Sequence, residues 1–245
     1  MVLHFLLDTV TTARPGDVVA LTGAEAHHAA AVRRVRVGEE VTVGDGRGAW
    51  LTGACESVSP REVIVRIAER TDASPSAPRI VLVQALAKGD RDELAVQAAT
   101  ELGVDEIVPW QAARSVARWE VGKAEKGRVR WASIVREAAK QAHRAWVPEV
   151  APLSTTKQLV ARAETARVLV LEPTASRALT SMDFDGADER DIVLVVGPEG
   201  GIAPEELSAL ETAGARGVRI GDAVLRTSTA GPAAIVVVSA AIRRW

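Results

Sequence analysis

The sequence predicts an α/β chain built in two parts, a β-rich N-terminal third and a larger domain that alternates strands and helices. Three observations carry this. Short apolar segments separated by turn residues fill the first third. Ala73-Ser74-Pro75-Ser76-Ala77-Pro78 then breaks any regular structure, because two prolines among small residues continue neither helix nor strand. Beyond it, Val168–Leu171 and Ile192–Val196 are uninterrupted apolar runs, the pattern of strands buried on both faces of a parallel sheet. The boundary is set there, giving parts 1–73 and 74–245.

In the first part, Val2–Leu7, Val18–Leu21, Glu40–Val43, Trp50–Cys55 and Glu62–Ile67 read as strands, the last with clean two-residue alternation. Gly44-Asp45-Gly46-Arg47-Gly48 reads as a hairpin turn, since glycine supplies positive φ without strain. A phosphate-binding role for this G-x-G-x-G is the other reading, though no helix follows to supply an anion site. His27–Arg36 reads as a short helical turn bearing Arg33, Arg34 and Arg36. It is either a solvated face or a phosphate-contacting patch.

In the second part, Ile80–Leu86 is a strand. Asp90 and Glu93 are spaced as a capping box for the next helix, which Gly103 closes. Glu106–Val108 is a short strand ended by Pro109. Trp131, Ile134, Val135, Ala138 and Ala142 form the apolar stripe of an amphipathic helix. Pro204 opens another helix, Gly217–Ile220 is a strand, and Pro232 opens the last helix. Alternation of this kind implies a mainly parallel sheet. Ala233–Ile242 is apolar almost all round and needs burial on more than one side. That is met by a subunit interface or by a central place in one core.

Composition bounds the function. Hydrophobic content of 47% fills a core, and 25% charged residues are ordinary for a globular chain. A formal net charge of −2 means that any nucleic-acid surface is a local patch. The single cysteine, Cys55, forms no internal disulfide and belongs to no metal-ligand cluster, so a reducing, cytoplasmic compartment and no metal are expected. Met1–Val10 lacks a basic start and a small-residue cleavage site, and no apolar run is long enough for a confident membrane span.

In open parallel sheets ligands bind beyond the carboxyl ends of strands. Three loops leave such ends: Leu171-Glu172-Pro173-Thr174, Gly197-Pro198-Glu199-Gly200-Gly201, and Gly221–Thr227 after Ile220. Three glycines within five residues let a flat ligand lie against bare backbone, or simply make a tight turn. Arg226 is either an ordinary surface arginine or, beside Thr227, Ser228 and Thr229, part of a polar cluster suited to contacting substrate. Glu199 is able to pair with a cation, hold a loop or accept a proton. A basic stretch includes Arg114, Arg118, Lys123, Lys126, Arg128 and Arg130, then Arg136, Lys140 and Arg144 at four-residue spacing on one helix face. Trp119 and Trp131 are interleaved, so the face is solvated or forms an RNA track.

At these residues the sequence resembles the RsmE family, SPOUT-class enzymes that methylate N3 of a uridine in 16S ribosomal RNA. The resemblance spans nearly the whole chain. It rests on His28, Val32-Arg33 and Gly38; on Lys88, Arg91, Glu93, Gln97 and Glu101-Leu102-Gly103-Val104; and on Arg114-Ser115, Arg130-Trp131, Glu137-Ala138, Gln141, Arg144 and Pro148. Its most specific pieces are Gly197–Gly201 and Leu225-Arg226-Thr227 with Ala230. It departs at Ser228, where the family usually has glutamate, and at Ala98, where lysine is usual.

The resemblance implies a PUA-like β-barrel followed by a SPOUT domain with a trefoil knot, and a homodimer. It implies S-adenosylmethionine as cofactor, held by Leu171, Glu172, Pro173, Gly197, Pro198, Glu199, Gly200, Gly201, Ile220, Gly221, Leu225, Thr229 and Ala230. Arg226 and Thr227 are the expected catalytic residues. His28, Arg33, Arg34, Arg36, Lys88, Arg91, Arg114, Arg136, Lys140 and Arg144 are expected on 16S ribosomal RNA, in the assembled small subunit. Two other readings stay open: a non-catalytic RNA-binding assembly factor of the same fold, and a SPOUT enzyme acting on a ribose 2′-hydroxyl.

Overall fold

The computed structural model describes residues 2–7, 12–120, 122–184, 186 and 188–245. Part of the Met1–Val10 segment, including the Asp8 that interrupts its apolar run, lies outside the described residues. The chain forms two compact units: Met1–Pro75 with Ala139–Val147, and Ser76–Ala138 with Pro148–Trp245. The single cut expected at residue 73 therefore omits a later segment that returns to the first unit.

The first unit holds β1 (Leu3–Leu6), β2 (Val18–Thr22), a short helix α1 (Gly23–His27), β3 (Glu40–Gly44), β4 (Ala49–Val58) and β5 (Glu62–Asp72). They form one mixed sheet in the order β1-β3-β4-β5-β2, with only the β1–β3 pair parallel. Phe5, Leu21, Val43, Leu51, Val63 and Val65 fill its core. The glycine segment is the hairpin expected. Asp45 Oδ1 accepts from the N–H groups of Arg47 and Ala49 at 2.7 and 3.1 Å, and the Gly48 N–H donates to the Ala145 carbonyl. With those donors used, a phosphate cradle there has little to offer. The helical turn after α1 ends at Val32, so the three arginines follow it rather than ride on it; Arg34 sits at φ 55°.

Within this unit the segment 139–147 is clamped in place. Arg47 and Trp146 form an antiparallel bridge, and the Trp146 indole N–H donates to the Ala73 carbonyl at 2.8 Å. Lys140 is buried, only 5% exposed. Its ammonium lies 2.8 Å from Glu25 Oε1 and 3.2 Å from His28 Nδ1. His4 is buried beside it, stacked on Trp50 at 4.2 Å and hydrogen-bonded to Thr42.

The second unit holds β6 (Ile80–Ala85), α2 (Arg91–Glu101), β7 (Glu106–Trp110), α3 (Ala124–Gln141, whose last turn counts with the first unit), β8 (Glu149–Val150) and α4 (Thr156–Ala163). Then follow β9 (Arg167–Leu171), β10 (Ile192–Val196), α5 (Pro204–Thr212), β11 (Arg216–Val218) and α6 (Thr227–Ala241). Its strands form one sheet in the order β11-β9-β10-β6-β7-β8, parallel throughout. The two-part architecture, a β-rich unit and an α/β unit with a parallel sheet, is the one expected.

Several local expectations change. Pro109 does not end its strand: β7 runs to Trp110, and the Pro109 carbonyl accepts from Ser154 on the side where β8 has already ended. A proline's missing N–H is harmless at such an edge. Asp90 makes no side-chain cap; Glu93 instead pairs with Arg130. The last helix begins at Thr227, five residues before Pro232, which lies inside it. Helix α4 was not anticipated, although Thr155 and Gln158 form a true capping box there. Among the described residues no helix is long and apolar enough to cross a membrane, and no group of three or more His, Cys, Asp or Glu is placed to hold a metal ion.

Candidate active site

Register brings the three loops to one level. Val196 pairs with Leu171, and Leu171 with Val218, so β10, β9 and β11 end side by side. The loops beyond them enclose a cleft of about 360 Å³. Of the residues expected to hold a cofactor, Leu171, Glu172, Pro173, Gly197, Pro198, Glu199, Gly201, Ile220, Gly221, Leu225 and Ala230 line it, together with Arg226 and Thr227. Gly200 and Thr229 do not. The α-carbon of Gly200 faces Arg114, where a β-carbon would come within 3.3 Å of the arginine's own, and its carbonyl accepts from Arg114 Nη1. Thr229 is exposed on the first turn of α6.

The cleft also contains residues that sequence reasoning missed. Val196, Ile202 and Val218 are strand ends or loop residues whose apolar character looked like core. Arg91, expected on RNA, lines the cleft. Its Nη1 donates to Glu199 Oε1 at 3.0 Å, and the Lys88 backbone N–H donates to the same oxygen at 3.0 Å. Burial pushes the Glu199 carboxyl up, but backbone N–H donors and the Arg91 guanidinium outweigh it and hold it below the usual range. Glu199 thus ties the glycine loop to the start of α2. Arg219 donates to the Ala175 carbonyl at 3.2 Å and also to that of Ser176, tying β11 to the chain after the first loop.

Thr227 is 7% exposed, and both roles of its hydroxyl are taken. It donates to the Gly197 carbonyl at 2.9 Å and accepts from Gln84 Nε2 at 2.9 Å. Thr227 thus links the first residue of α6 to the glycine loop and to the end of β6. Arg226, immediately before it, is exposed at the N-cap of α6, and its guanidinium has no partner among the described residues.

The residues expected on RNA divide. Arg33, Arg34 and Arg36 are exposed, with side chains unpaired among the described residues. Lys88 and Arg114 are exposed as well. His28 is half-buried against Lys140 and edge-on to Phe5. The expected face of Arg136, Lys140 and Arg144 does not form. Lys140 is buried on Glu25, α3 stops at Gln141, and His143 at φ 54° turns the chain before Arg144. Arg136 and Arg144 are half-buried and each has a partner.

Comparison with known proteins accords with this geometry. Residues 74–239 match the model of an RNA methyltransferase domain, and residues 21–68 that of an RNA methyltransferase PUA domain. A parallel sheet whose adjacent strand ends carry three loops around one cleft, preceded by a PUA unit, is thus that of an RNA methyltransferase. The relatives narrow the class. Ribosomal RNA small subunit methyltransferase E of Mycobacterium bovis is 43% identical over 98% of this chain and 92% of its own. That of Bacillus subtilis is 31% identical over 93% and 91%. A solved ribosomal RNA small subunit methyltransferase E from Neisseria gonorrhoeae, bound to S-adenosyl methionine, superposes with a TM-score of 0.86 at 28% identity over 98% of both chains. A Legionella pneumophila protein solved with S-adenosylmethionine gives 0.86 at 30% identity, again over 98% of both. The chain belongs to the ribosomal RNA small subunit methyltransferase E family.

Proposed function

We propose that this protein transfers a methyl group from S-adenosylmethionine to N3 of a uridine in 16S ribosomal RNA, with Arg226 acting on the base. The enzyme class, S-adenosylmethionine-dependent methylation of small-subunit ribosomal RNA, follows from membership of the family. The target atom and the residue roles are our reading. The observation that carries it is one unpaired guanidinium at the rim of a cleft built from three strand ends.

The residues present fit the cofactor. Glycines 197 and 201 keep side chains clear of the cleft, and Leu171, Val196, Ile202 and Ile220 give it apolar walls. Bound there, S-adenosylmethionine supplies an electrophilic methyl group. Arg226 does the rest that this chain can do: a permanently charged donor stabilises negative charge building on the uracil oxygens as N3 loses its proton. The two carboxylates lining the cleft are engaged, Glu199 by Arg91 and Glu172 by Thr174 at 3.0 Å. In this scheme the N3 proton leaves to water.

The unpaired Arg33, Arg34 and Arg36 bind phosphate and position the RNA. A homodimer is supported by α6, where Ala234, Ile235 and Val238 are buried while Val236 and Val237 on the other side stay half-open. The assembled small subunit in the cytoplasm is the proposed substrate and place. The test is methyl transfer from radiolabelled S-adenosylmethionine to small subunits lacking the modification. The expected product is N3-methyluridine. Label in a ribose 2′-O-methyl nucleoside, or none despite cofactor binding, would overturn this reading.

A further inference from the structure

A buried amide ties together the parts that the reaction must align. Gln84 occupies the next-to-last place of β6, a strand buried along its whole length, and is itself 0% exposed. Its Nε2 donates to the Ala85 carbonyl at 3.1 Å and to Thr227 Oγ1 at 2.9 Å. A carbonyl only accepts, so the Ala85 contact fixes which end of the amide carries the N–H groups. The Thr227 hydroxyl has one proton, and it goes to the Gly197 carbonyl at 2.9 Å. The polarity of the chain is therefore set: amide to hydroxyl to carbonyl. It joins the end of β6, the first residue of α6 and the first residue of the glycine loop.

The same amide carries a cost. Gln84 Oε1 is buried without a hydrogen-bond partner among the described residues. An apolar side chain of similar length would remove that orphaned acceptor but would also withdraw the donor from the Ala85 carbonyl and the Thr227 oxygen, so the two effects offset and the net change in stability is small. A buried group of small net worth to stability, sitting where three functional segments meet, points to alignment.

We propose that Gln84 is a positioning residue for methyl transfer: by donating to Thr227, it fixes the N-terminus of α6, and so Arg226, against the Gly197 loop. This rests on the reading of Arg226 given above. Gln84 touches no reacting atom and acts through Thr227.

The test compares Gln84→Met and Gln84→Glu with the parent protein, using three readouts: thermal unfolding, S-adenosylmethionine affinity by calorimetry, and kcat on unmodified small subunits from pH 6 to 9. Gln84→Met is expected to unfold within a few degrees of the parent and to bind cofactor within about threefold. Its kcat is expected to fall on the order of tenfold to a hundredfold at every pH, the scale of a small misplacement of a reacting group. In Gln84→Glu only the protonated acid can donate to Thr227. Its kcat is expected to approach the parent's at low pH and to collapse as the buried carboxyl ionises, a pH step that the amide cannot show. Parent-like kcat in Gln84→Met, or a parent-like pH profile in Gln84→Glu, overturns the inference and leaves the function standing. A parent protein silent on small subunits overturns the function and this inference with it.

Discussion

Replacing Lys140 by methionine tests whether the basic face of α3 is a binding surface or a buried anchor. The aliphatic stem is retained and only the ammonium is lost. In the folded protein that ammonium is 5% exposed and sits 2.8 Å from Glu25 Oε1, itself on a side chain 15% exposed. The other Glu25 oxygen is already buried without a hydrogen-bond partner among the described residues. Removing one member of a buried pair strands the other charge, which costs about 3–5 kcal/mol. Removing both members, as in Lys140→Met with Glu25→Leu, should recover most of that loss, because no uncompensated charge remains. At a urea dependence of about 2 kcal/mol per molar, the single variant should unfold roughly 2 M earlier, and the double variant close to the parent. The assay is equilibrium urea unfolding followed by tryptophan fluorescence, with RNA affinity measured against salt on the same samples. A single variant with unchanged stability but weaker, less salt-dependent RNA binding would refute the buried-anchor argument and restore Lys140 to the RNA surface.

Four further outcomes are expected. Arg226→Ala should cut kcat on the order of a hundredfold or more, the scale of losing one charge-stabilising donor, while the unfolding midpoint stays within a degree or two; unchanged turnover removes Arg226 from the chemistry. Gly197→Ala places a β-carbon 2.7 Å from Ile202 Cγ1 and must displace a side chain that lines the cleft, so cofactor affinity should fall about tenfold by calorimetry, with little loss of fold. Substituting alanine at Arg33, Arg34 and Arg36 together should lower the salt slope of RNA binding by about 2–3 and leave cofactor affinity alone, as filter binding over a salt series will show. His4 carries the pH prediction. Burial first, then the nearby charges of His143 and Lys140, lower its pKa from 6.5 to about 3. The unfolded chain then binds the extra proton, so stability is full above about pH 6.5 and falls toward pH 3 by about 1.4 kcal/mol per pH unit. His4→Gln should flatten that slope in urea unfolding across the same window, and an identical slope in the variant would assign the acid sensitivity elsewhere.

Much of the fold is written locally, and the failures have identifiable causes. Fully apolar Val168–Leu171 and Ile192–Val196 announce central parallel strands because both their faces are covered. Arg136, Lys140 and Arg144 mislead because helical spacing assumes the helix continues; a left-handed His143 ends it, and the partner that buries Lys140 is Glu25, far away in sequence. Pro109 and Pro232 mislead because proline's local cost is forgiven at a strand edge and inside a packed helix. The cleft loops are legible from glycine spacing and strand ends. Arg91 and Gln84 are not, since nothing local distinguishes a helix-start arginine that meets Glu199, or a strand glutamine that meets Thr227, from ordinary neighbours.

The return of residues 139–147 to the first unit sets an order on biogenesis. The last strand of that unit ends at Asp72, but the tryptophan that covers Gly48 and hydrogen-bonds Ala73 is Trp146. A nascent chain that has just emerged through its proline-rich linker is therefore short of one wall. Its half-buried Glu25 has no ammonium beside it until Lys140 arrives. Synthesis of the strand-and-helix part must run through β7 and α3 before the earlier unit can close. A fragment cut at the linker is an unfinished object, and its RNA affinity will understate that of the intact chain. The two units are successive in their chemistry but interlaced along the chain, so neither is a module that can be exchanged by a single cut.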